Sequence, residues 1–508
     1  MFTNLESAGF GRHVQALMQR HRVPGFALAL VQDGRVTSNA FGSATLDPKR
    51  EFTTDTIMPV GSIAKALTAA AVGLLVADQA LPDVQWTAQM RKILPDDFVI
   101  QGGKHDDVTL EDVLCHRTGM PAHEFSILGA KSKTRDNARS LTRNLRNLQP
   151  AAENRSQFIY SNIMYSAASY VVQVKRGLSF EQAMQKYMYQ PLQMHSTCQL
   201  LSTVKERGQQ DRLAVGYSLL DDDVIPVYPT ECPDAQGCGQ TMSTVNDIGR
   251  WIKALMHAEA PFSKDLVAQL TAPRIRQEAE DERSSAPFAA LGWDVVDYCG
   301  VTVIMHRGTE AGFQSNHFFV PEFKFGGAMF ANSDCGDLVI SGLTYRLIDE
   351  AMRTTPGRDA EFMWSDSSEE DSDDDSDSSS DSDDEEEIRE LQLELCPGLE
   401  KPEALAMPLS AYTGFYLHDG YHHLKVEAKD GALFINARDR AMAMDIRFMH
   451  VAHNTKFIAC AHILADQEDF YVKAEFKLVN GKSVRLGIHF ETRLEEYIWF
   501  DKVQVNRD

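Results

Sequence analysis

The sequence lacks the motifs of several common classes of protein. None of its eight cysteines belongs to a Cys-x-x-Cys pair, so neither a structural zinc site nor a redox dithiol is indicated. It has no clustered basic face of the kind that nucleic-acid binding requires. The most apolar stretch, Ala66 to Val76, is too short to span a bilayer and is predicted to be a buried helix. We therefore expect no metal, no cofactor, no nucleic acid and no membrane partner.

A secretion signal is also missing from the sequence. Residues 1–21 are polar and have the pattern of an amphipathic helix, without a basic stretch followed by an apolar one. The scattered cysteines fit reduced thiols in a reducing compartment. We therefore expect a cytoplasmic protein.

The net charge of −23 is concentrated in one segment. Residues 365–387 consist of fourteen acidic residues and nine serines, and the rest of the chain carries a net charge of only −9. Such a segment cannot bury enough apolar surface to offset the entropy lost on ordering, so we expect it to be disordered. We place it within a linker, residues 356–404, between two folded domains.

Residues 1–355 have the pattern of an α/β domain. An apolar run at 25–31, the turn Asp33-Gly34 and a second strand-like run from Val36 predict a β-hairpin. Residues from about 110 to 270 are mainly helical in pattern. Short strand-like runs return at 301–305, 317–320 and 327–331. Strands at both ends predict one sheet assembled from the two ends of the domain, with a helical insertion between them.

Residues 405–508 have an all-β pattern. Apolar residues alternate along 472–478 and again along 484–490, on either side of the turn Asn480-Gly481. This dipeptide between alternating runs is a strong hairpin signal. A further turn at Asp430-Gly431 also separates two strand-like runs. We expect a small antiparallel sheet or barrel in this domain.

The first candidate for chemistry is Ser62, which is followed by Lys65 at the start of the predicted Ala66–Val76 helix. Residues three apart lie on one face of a helix, so Lys65 would lie beside Ser62 and could activate its hydroxyl. The helix dipole would favour the negative charge that develops there. An isolated S-x-x-K match is weak, because it recurs by chance in a chain of this length.

The second candidate motif contains Tyr160 and Asn162. A lysine cation beside Tyr160 would stabilise a phenolate, which could take a proton from the serine and return it to a leaving group. The Asn162 amide is suited to binding a substrate carbonyl. On its own, Tyr160 would be interpreted as an ordinary half-buried aromatic residue.

The third candidate motif, His306, Gly308 and Thr309, lies at the end of the predicted strand 301–305. Gly308 would let a substrate backbone lie close against an edge strand. The backbone N–H of Thr309 could then join that of Ser62 to form an oxyanion hole.

The order and spacing of the three motifs are more specific than any one of them. They occur as S-x-x-K, Y-x-N and H-x-G, with 95 residues from Lys65 to Tyr160 and 146 from Tyr160 to His306. In this arrangement the chain resembles the class C β-lactamases and penicillin-binding proteins, also called the S12 serine peptidase or esterase group. Residues 108–121 and 239–248 resemble further segments of that family.

The resemblance covers roughly residues 10 to 355 and implies a β-lactamase/transpeptidase-like α/β fold, in which helices flank an antiparallel sheet. Residues 405–508 resemble the lipocalin-like domain that follows some S12 enzymes, through Tyr412-Thr413-Gly414-Phe415-Tyr416 and Leu424-Lys425-Val426. In such relatives this domain caps the active site or helps oligomerisation, so a homo-oligomer is compatible with the sequence.

The resemblance also implies a mechanism. Ser62 attacks a substrate carbonyl and becomes acylated, Lys65 and Tyr160 transfer the proton, and Asn162 and His306 orient the substrate. His306 stands where true β-lactamases usually have a lysine, and an imidazole is mostly neutral near pH 7. This difference favours esters, amides or D-amino-acid-containing peptides over β-lactams.

We therefore expect a serine hydrolase whose substrate is a small molecule or a short peptide. Two alternatives remain. An acyltransferase of small-molecule metabolism would use the same acyl-Ser62 with an acceptor other than water, and a non-catalytic relative would serve as a scaffold or sensor.

Overall fold

The structure, a computed structural model, describes residues 4–103, 105–220, 223–278, 286–354, 380–465 and 469–504. The chain forms two compact units. The first unit comprises Met1–Ala122 and Asp136–Arg358, and the second comprises His123–Arg135 and Asp359–Asp508. No helix in the described ranges is long and apolar enough to cross a membrane.

The first unit contains both helices and strands. Its described strands are β1 Gly25–Gln32, β2 Arg35–Leu46, β3 Lys49–Glu51, β4 Met58–Pro59, β5 Gly216–Leu220, β6 Asp223–Val227, β7 Met242–Ser243, β8 Ile275–Arg276, β9 Phe288–Ala289, β10 Asp294–Tyr298, β11 Val301–Glu310, β12 Phe313–Val320 and β13 Phe325–Ala331. Its described α-helices are α1 Ala8–Arg20, α2 Ile63–Val76, α3 Met90–Ile93, α4 Leu110–Leu114, α5 Ala138–Asn144, α6 Asn162–Arg176, α7 Phe180–Met184, α8 Leu201–Glu206, α9 Val245–His257, α10 Lys264–Thr271 and α11 Gly336–Thr354.

Nine of these strands form one antiparallel sheet in the order β3-β2-β1-β13-β12-β11-β10-β9-β8. Strand β1 lies beside β13, so the sheet joins the two ends of the unit, as predicted. Seven of the eight residues of β1 are buried, because helices pack on both faces of the sheet. Helices α1 and α11 contribute Val14, Leu343 and Leu347 to one core. On the other face, a Cβ at Gly249 of α9 would lie only 3.1 Å from the Ala29 side chain.

Helix α2 contacts β11 and β12 of the sheet and is almost completely buried. Its run of alanine and leucine favours a helix, and its small side chains allow close packing on neighbouring elements. At Gly73, for example, a Cβ would lie 2.8 Å from the Leu266 side chain. The apolar stretch 66–76 is therefore a buried helix, as the sequence predicts.

The second unit contains a closed barrel of eight antiparallel strands. Its described elements are α12 Ser380–Leu395, β14 Gly414–His418, β15 His422–Lys429, β16 Ala432–Ala437, β17 Met444–Ala452, β18 Lys456–Ile463, β19 Asp469–Val479, β20 Lys482–Ile488 and β21 Ile498–Val503. The turn Asn480-Gly481 joins β19 to β20, and both residues have positive φ, as a tight hairpin requires. The predicted β domain is thus confirmed as a barrel.

Residues 123–135 belong to this second unit, although the predicted boundaries place them in the catalytic domain. The Phe125 ring stacks on Phe470, with ring centroids 5.1 Å apart. His123 Nδ1 lies 2.7 Å from the hydroxyl of Tyr421. The Gly129 N–H donates to the carbonyl of Asp439, 2.9 Å away. The segment is therefore fixed by barrel residues that lie about 300 positions later in the sequence.

We expected residues 365–387 to be disordered, and residues 365–379 of this segment lie outside the described residues. Its last eight residues, 380–387, are helical instead and form the first half of α12. The physical reason lies just beyond them, because Ile388, Leu391 and Leu395 recur at helical spacing and pack with apolar barrel residues such as Val451. An amphipathic second half thus extends the helix into the acidic run.

Candidate active site

The N-terminus of α2 brings the first two predicted site residues together. Ser62 is the N-cap residue of α2, and Lys65 follows in its first turn. Lys65 is completely buried. Its Nζ donates to Ser62 Oγ at 3.0 Å and to the carbonyl oxygen of Cys238 at 2.8 Å. A buried ammonium or amine group is therefore held in hydrogen-bond contact with the serine hydroxyl.

Tyr160 supplies a second polar group to the same serine. Its hydroxyl lies 2.7 Å from Ser62 Oγ, and Lys65 Nζ lies 4.6 Å from the centroid of its ring. The His116 ring stacks on Tyr160, with centroids 4.4 Å apart. His116 is in turn fixed by the backbone N–H of Ser161, which donates to its Nδ1 at 3.0 Å. This arrangement has the nucleophile-and-base geometry of an activated serine.

Strand β11 approaches Ser62 from the other side. A Cβ at Gly308 would lie 2.1 Å from the carbonyl oxygen of Val60 and 3.1 Å from the backbone nitrogen of Ser62. Gly61 has φ +52°, and a Cβ there would lie 2.6 Å from the carbonyl oxygen of Thr309. The backbone around Gly308 therefore lies directly against the backbone that carries Ser62, and both contact positions require glycine.

A cavity of about 360 Å³ opens beside these residues. It is lined by Ser62, His116, Phe158, Tyr160, Gln277, Pro287, Ala289, Ala290, Gly292, Trp293, Asp294, Val296, Met305, His306, Arg307, Thr309 and Tyr345. Four of the predicted site residues, Ser62, Tyr160, His306 and Thr309, thus share one cavity of the size that small ligands occupy. Lys65 contacts Ser62 but is not among the described residues that line the cavity. Asn162 begins α6 and is not among the described residues that line the cavity.

The histidines of the site are electrostatically unusual. His306 is 6% exposed, and burial lowers its pKa, although Asp294 opposes the shift. Burial lowers the pKa of His116 and of His317 well below 6.5. His317 pairs with His306 across β11 and β12 and stacks on Trp293 at 4.3 Å. Burial therefore favours the neutral form of all three imidazoles.

This burial predicts a pH-dependent stability. In the unfolded chain these histidines titrate near 6.5, so below that pH unfolding takes up protons and stability falls. Each histidine that stays neutral costs about 1.4 kcal/mol of unfolding free energy per pH unit. We expect urea unfolding at pH 5.5 and 7.5 to show this loss, and His317→Phe to reduce it. His195→Phe, at an exposed position, is the control. An unchanged slope in His317→Phe would contradict this interpretation.

Some residues of the site were not predicted from the sequence. The Cys238 carbonyl that holds Lys65 is a backbone group and leaves no side-chain signal. His116 lies within the family-like segment 108–121, but no role was assigned to it. Asp294 and Trp293 reach the cavity only through the register of β10 with β11, which a single sequence does not reveal.

Comparison with known proteins decides the family. Residues 10–346 match the family model described as Beta-lactamase. The chain belongs to the Beta-lactamase family. This Beta-lactamase family member also matches, over residues 400–502, a model described as a domain of unknown function, DUF3471.

One relative and two solved structures extend this result. The unguisins hydrolase ungD from Aspergillus violaceofuscus (strain CBS 115571) is 31% identical over 528 residues, covering 97% of this chain and 90% of the relative. An octameric penicillin-binding protein homologue from Pyrococcus abyssi has TM-score 0.58 at 17% identity and covers 97% of this chain and 99% of its own. A class C beta-lactamase has TM-score 0.55 at 20% identity, and the match covers 68% of this chain and 95% of that structure's chain. The predicted family and fold are confirmed for this Beta-lactamase family member.

Proposed function

We propose that this protein is a serine hydrolase that forms an acyl-enzyme on Ser62. The observation that carries the proposal is the pair of contacts to Ser62 Oγ, at 2.7 Å from the Tyr160 hydroxyl and 3.0 Å from Lys65 Nζ. A serine hydroxyl is a weak nucleophile without a neighbouring base, and here two candidate bases contact it beside a cavity.

The reaction has two steps that use the same groups. In the first, Ser62 Oγ forms a bond to the substrate carbonyl carbon, and its proton passes to Tyr160 and Lys65. The bond to the leaving group then breaks, and the leaving group takes up that proton. In the second, water attacks the acyl carbon and its proton returns to Ser62 as the acid is released. The backbone N–H groups of Ser62 and Thr309 would hold the oxyanion. Asn162 lies outside the cavity lining, so its side chain would have to turn toward the cavity to orient the substrate.

The acyl donor is an ester, an amide or a D-amino-acid-containing peptide. A neutral His306 gives no permanent cation for the carboxylate of a β-lactam, since burial lowers its pKa. The relative that is 31% identical over nearly the full chain is named for the hydrolysis of unguisins. Unguisins are therefore the first substrates to test.

The test is mass spectrometry of an unguisin incubated with the protein and with Ser62→Ala. We expect products that together contain one water more than the substrate, formed by the wild type alone. Products that carry an added alcohol or amine acceptor, and none in water, would favour an acyltransferase. If a folded wild type converts neither unguisins nor simple esters, the scaffold alternative is favoured.

Gly308→Ala tests the role of the close β11 approach. Its Cβ would overlap the Val60 carbonyl at 2.1 Å, so the strand or the Ser62 backbone must shift. We expect a loss of about 10²- to 10³-fold in kcat, the effect of losing one oxyanion donor. Gly342→Ala is the control, because its Cβ would meet no atom of the described residues within 4 Å. A folded Gly308→Ala variant with normal kcat would exclude this role.

A further inference from the structure

A carboxylate, that of Asp294, lines the cavity beside Ser62. Asp294, the first residue of β10, lines the cavity, and its side chain is 32% exposed. Gln277 Nε2 donates to Asp294 Oδ1 at 2.5 Å. Within the described part of the chain, no lysine or arginine forms an ion pair with this carboxylate. Its negative charge therefore faces the space where a substrate would bind.

His306 presents a second hydrogen-bond acceptor at the same place. Its Nδ1 is buried, has no hydrogen-bond partner among the described residues, and lies 3.8 Å from Asp294 Oδ2. The His306 ring forms a hydrogen bond with the Gly292 backbone, and this bond favours a proton on the ring. The bond does not involve Nδ1. The proton of the neutral ring therefore lies on Nε2, which leaves Nδ1 as an acceptor that faces a carboxylate.

Two acceptors that face each other at 3.8 Å call for a donor between them. A donor atom about 2.8 Å from each acceptor, the usual length of a charge-assisted hydrogen bond, would bridge them once the His306 ring turns its buried Nδ1 toward the cavity. A primary ammonium has three hydrogens, so one group can donate to both acceptors and also balance the charge of Asp294. A neutral donor such as water would satisfy the hydrogen bonds but not the charge.

We propose that Asp294 and His306 form a subsite for a primary ammonium group of the substrate. The inference rests on the proposed function for its relevance to catalysis, and it narrows the substrate class to acyl compounds that carry a free amine. Arg307 also lines the cavity and would attract a substrate carboxylate, but its side chain is exposed. Water therefore screens the charge of Arg307 more strongly than that of the partly buried Asp294.

The test measures binding in a chain that cannot react. Ser62→Ala protein is titrated calorimetrically with aminoacyl p-nitroanilides of both enantiomers, each with a free, an N-acetylated and an N-succinylated amine. We expect the free amine to bind about 10- to 100-fold more tightly than the N-acetylated compound. This preference should disappear in Ser62→Ala/Asp294→Asn. It should persist in Ser62→Ala/Asp297→Asn, which removes an exposed carboxylate from the same strand outside the cavity.

Three outcomes would overturn the subsite. They are no preference for the free amine, a preference that survives Asp294→Asn, and tighter binding of the N-succinylated compound, which would assign the cavity to Arg307 and a carboxylate. Failure of the proposed function is a separate result, because it would be seen as a lack of p-nitrophenyl acetate turnover by the chain with Ser62 intact. Absence of that turnover leaves the binding comparison valid.

Discussion

Replacing Lys65 with methionine is expected to lower kcat for a p-nitrophenyl ester by about 10²- to 10⁴-fold, the usual contribution of a positioned general base. Lys65 is completely buried, and its Nζ lies 3.0 Å from Ser62 Oγ. Methionine retains most of the apolar stem that packs inside the unit but provides no group to accept the serine proton. Steady-state kinetics and the rate of labelling by a fluorophosphonate measure the loss.

The matched control for this prediction is Lys92→Met, an exposed lysine on α3. It removes the same charge from the chain and should leave kcat unchanged. A folded Lys65→Met variant that keeps more than about a tenth of the wild-type kcat would show that Lys65 is not the base. In that case Tyr160, at 2.7 Å from the serine, would have to act alone.

Removal of the barrel is expected to release residues 123–135. In a chain that ends at residue 358, this segment loses its stacking partner Phe470 and its backbone bond to Asp439. Each lost bond contributes about 1 kcal/mol, so we expect proteolytic cleavage within the segment to become about 100-fold faster. Limited proteolysis with mass spectrometry measures the rate and the cleavage position.

The same change should slow the reaction of Ser62. The segment continues directly from residues 116–121, where the carbonyl of Pro121 accepts a hydrogen bond from Ser161 Oγ at 3.1 Å and His116 stacks on Tyr160. Release of the segment removes a restraint on residues 116–121, which contact Tyr160 and Ser161. Equal cleavage and labelling rates in the shortened and full chains would contradict this account.

A point variant tests the packing of residues 123–135 without removing the barrel. Gly129→Ala places a Cβ 2.6 Å from the carbonyl of Arg440, which we expect to cost about 1 to 3 kcal/mol. Gly342→Ala, whose Cβ lies more than 4 Å from any described neighbour, is again the control. If both alanine variants unfold at the same temperature, the close packing of the segment is not important.

Local sequence patterns were sufficient for much of the fold. The turn at Asp33-Gly34 predicts the β1–β2 hairpin, and the turn at Asn480-Gly481 predicts the β19–β20 hairpin. The i, i+3 spacing of Ser62 and Lys65 on a run of helix formers predicts their contact correctly. These features depend on residues close in sequence, so a single sequence carries the signal.

Features that depend on distant residues were not predictable. The 123–135 segment joins the barrel through partners near 440 and 470, and no local pattern shows this. Asp294 meets His306 only because β10 pairs with β11 in one register. The helix α12 is different, because the helical spacing of Ile388, Leu391 and Leu395 is present in the sequence, but the prediction considered only the acidic run before them.

Covalent labelling of Ser62 tests the central claim most directly. The wild type, Ser62→Ala and the exposed control Ser156→Ala are treated with a fluorophosphonate, and their intact masses are measured. The account predicts one adduct on the wild type and on Ser156→Ala, located on the peptide that contains Ser62, and none on Ser62→Ala. An adduct that persists in Ser62→Ala, or a folded wild type that takes up no label, would contradict it.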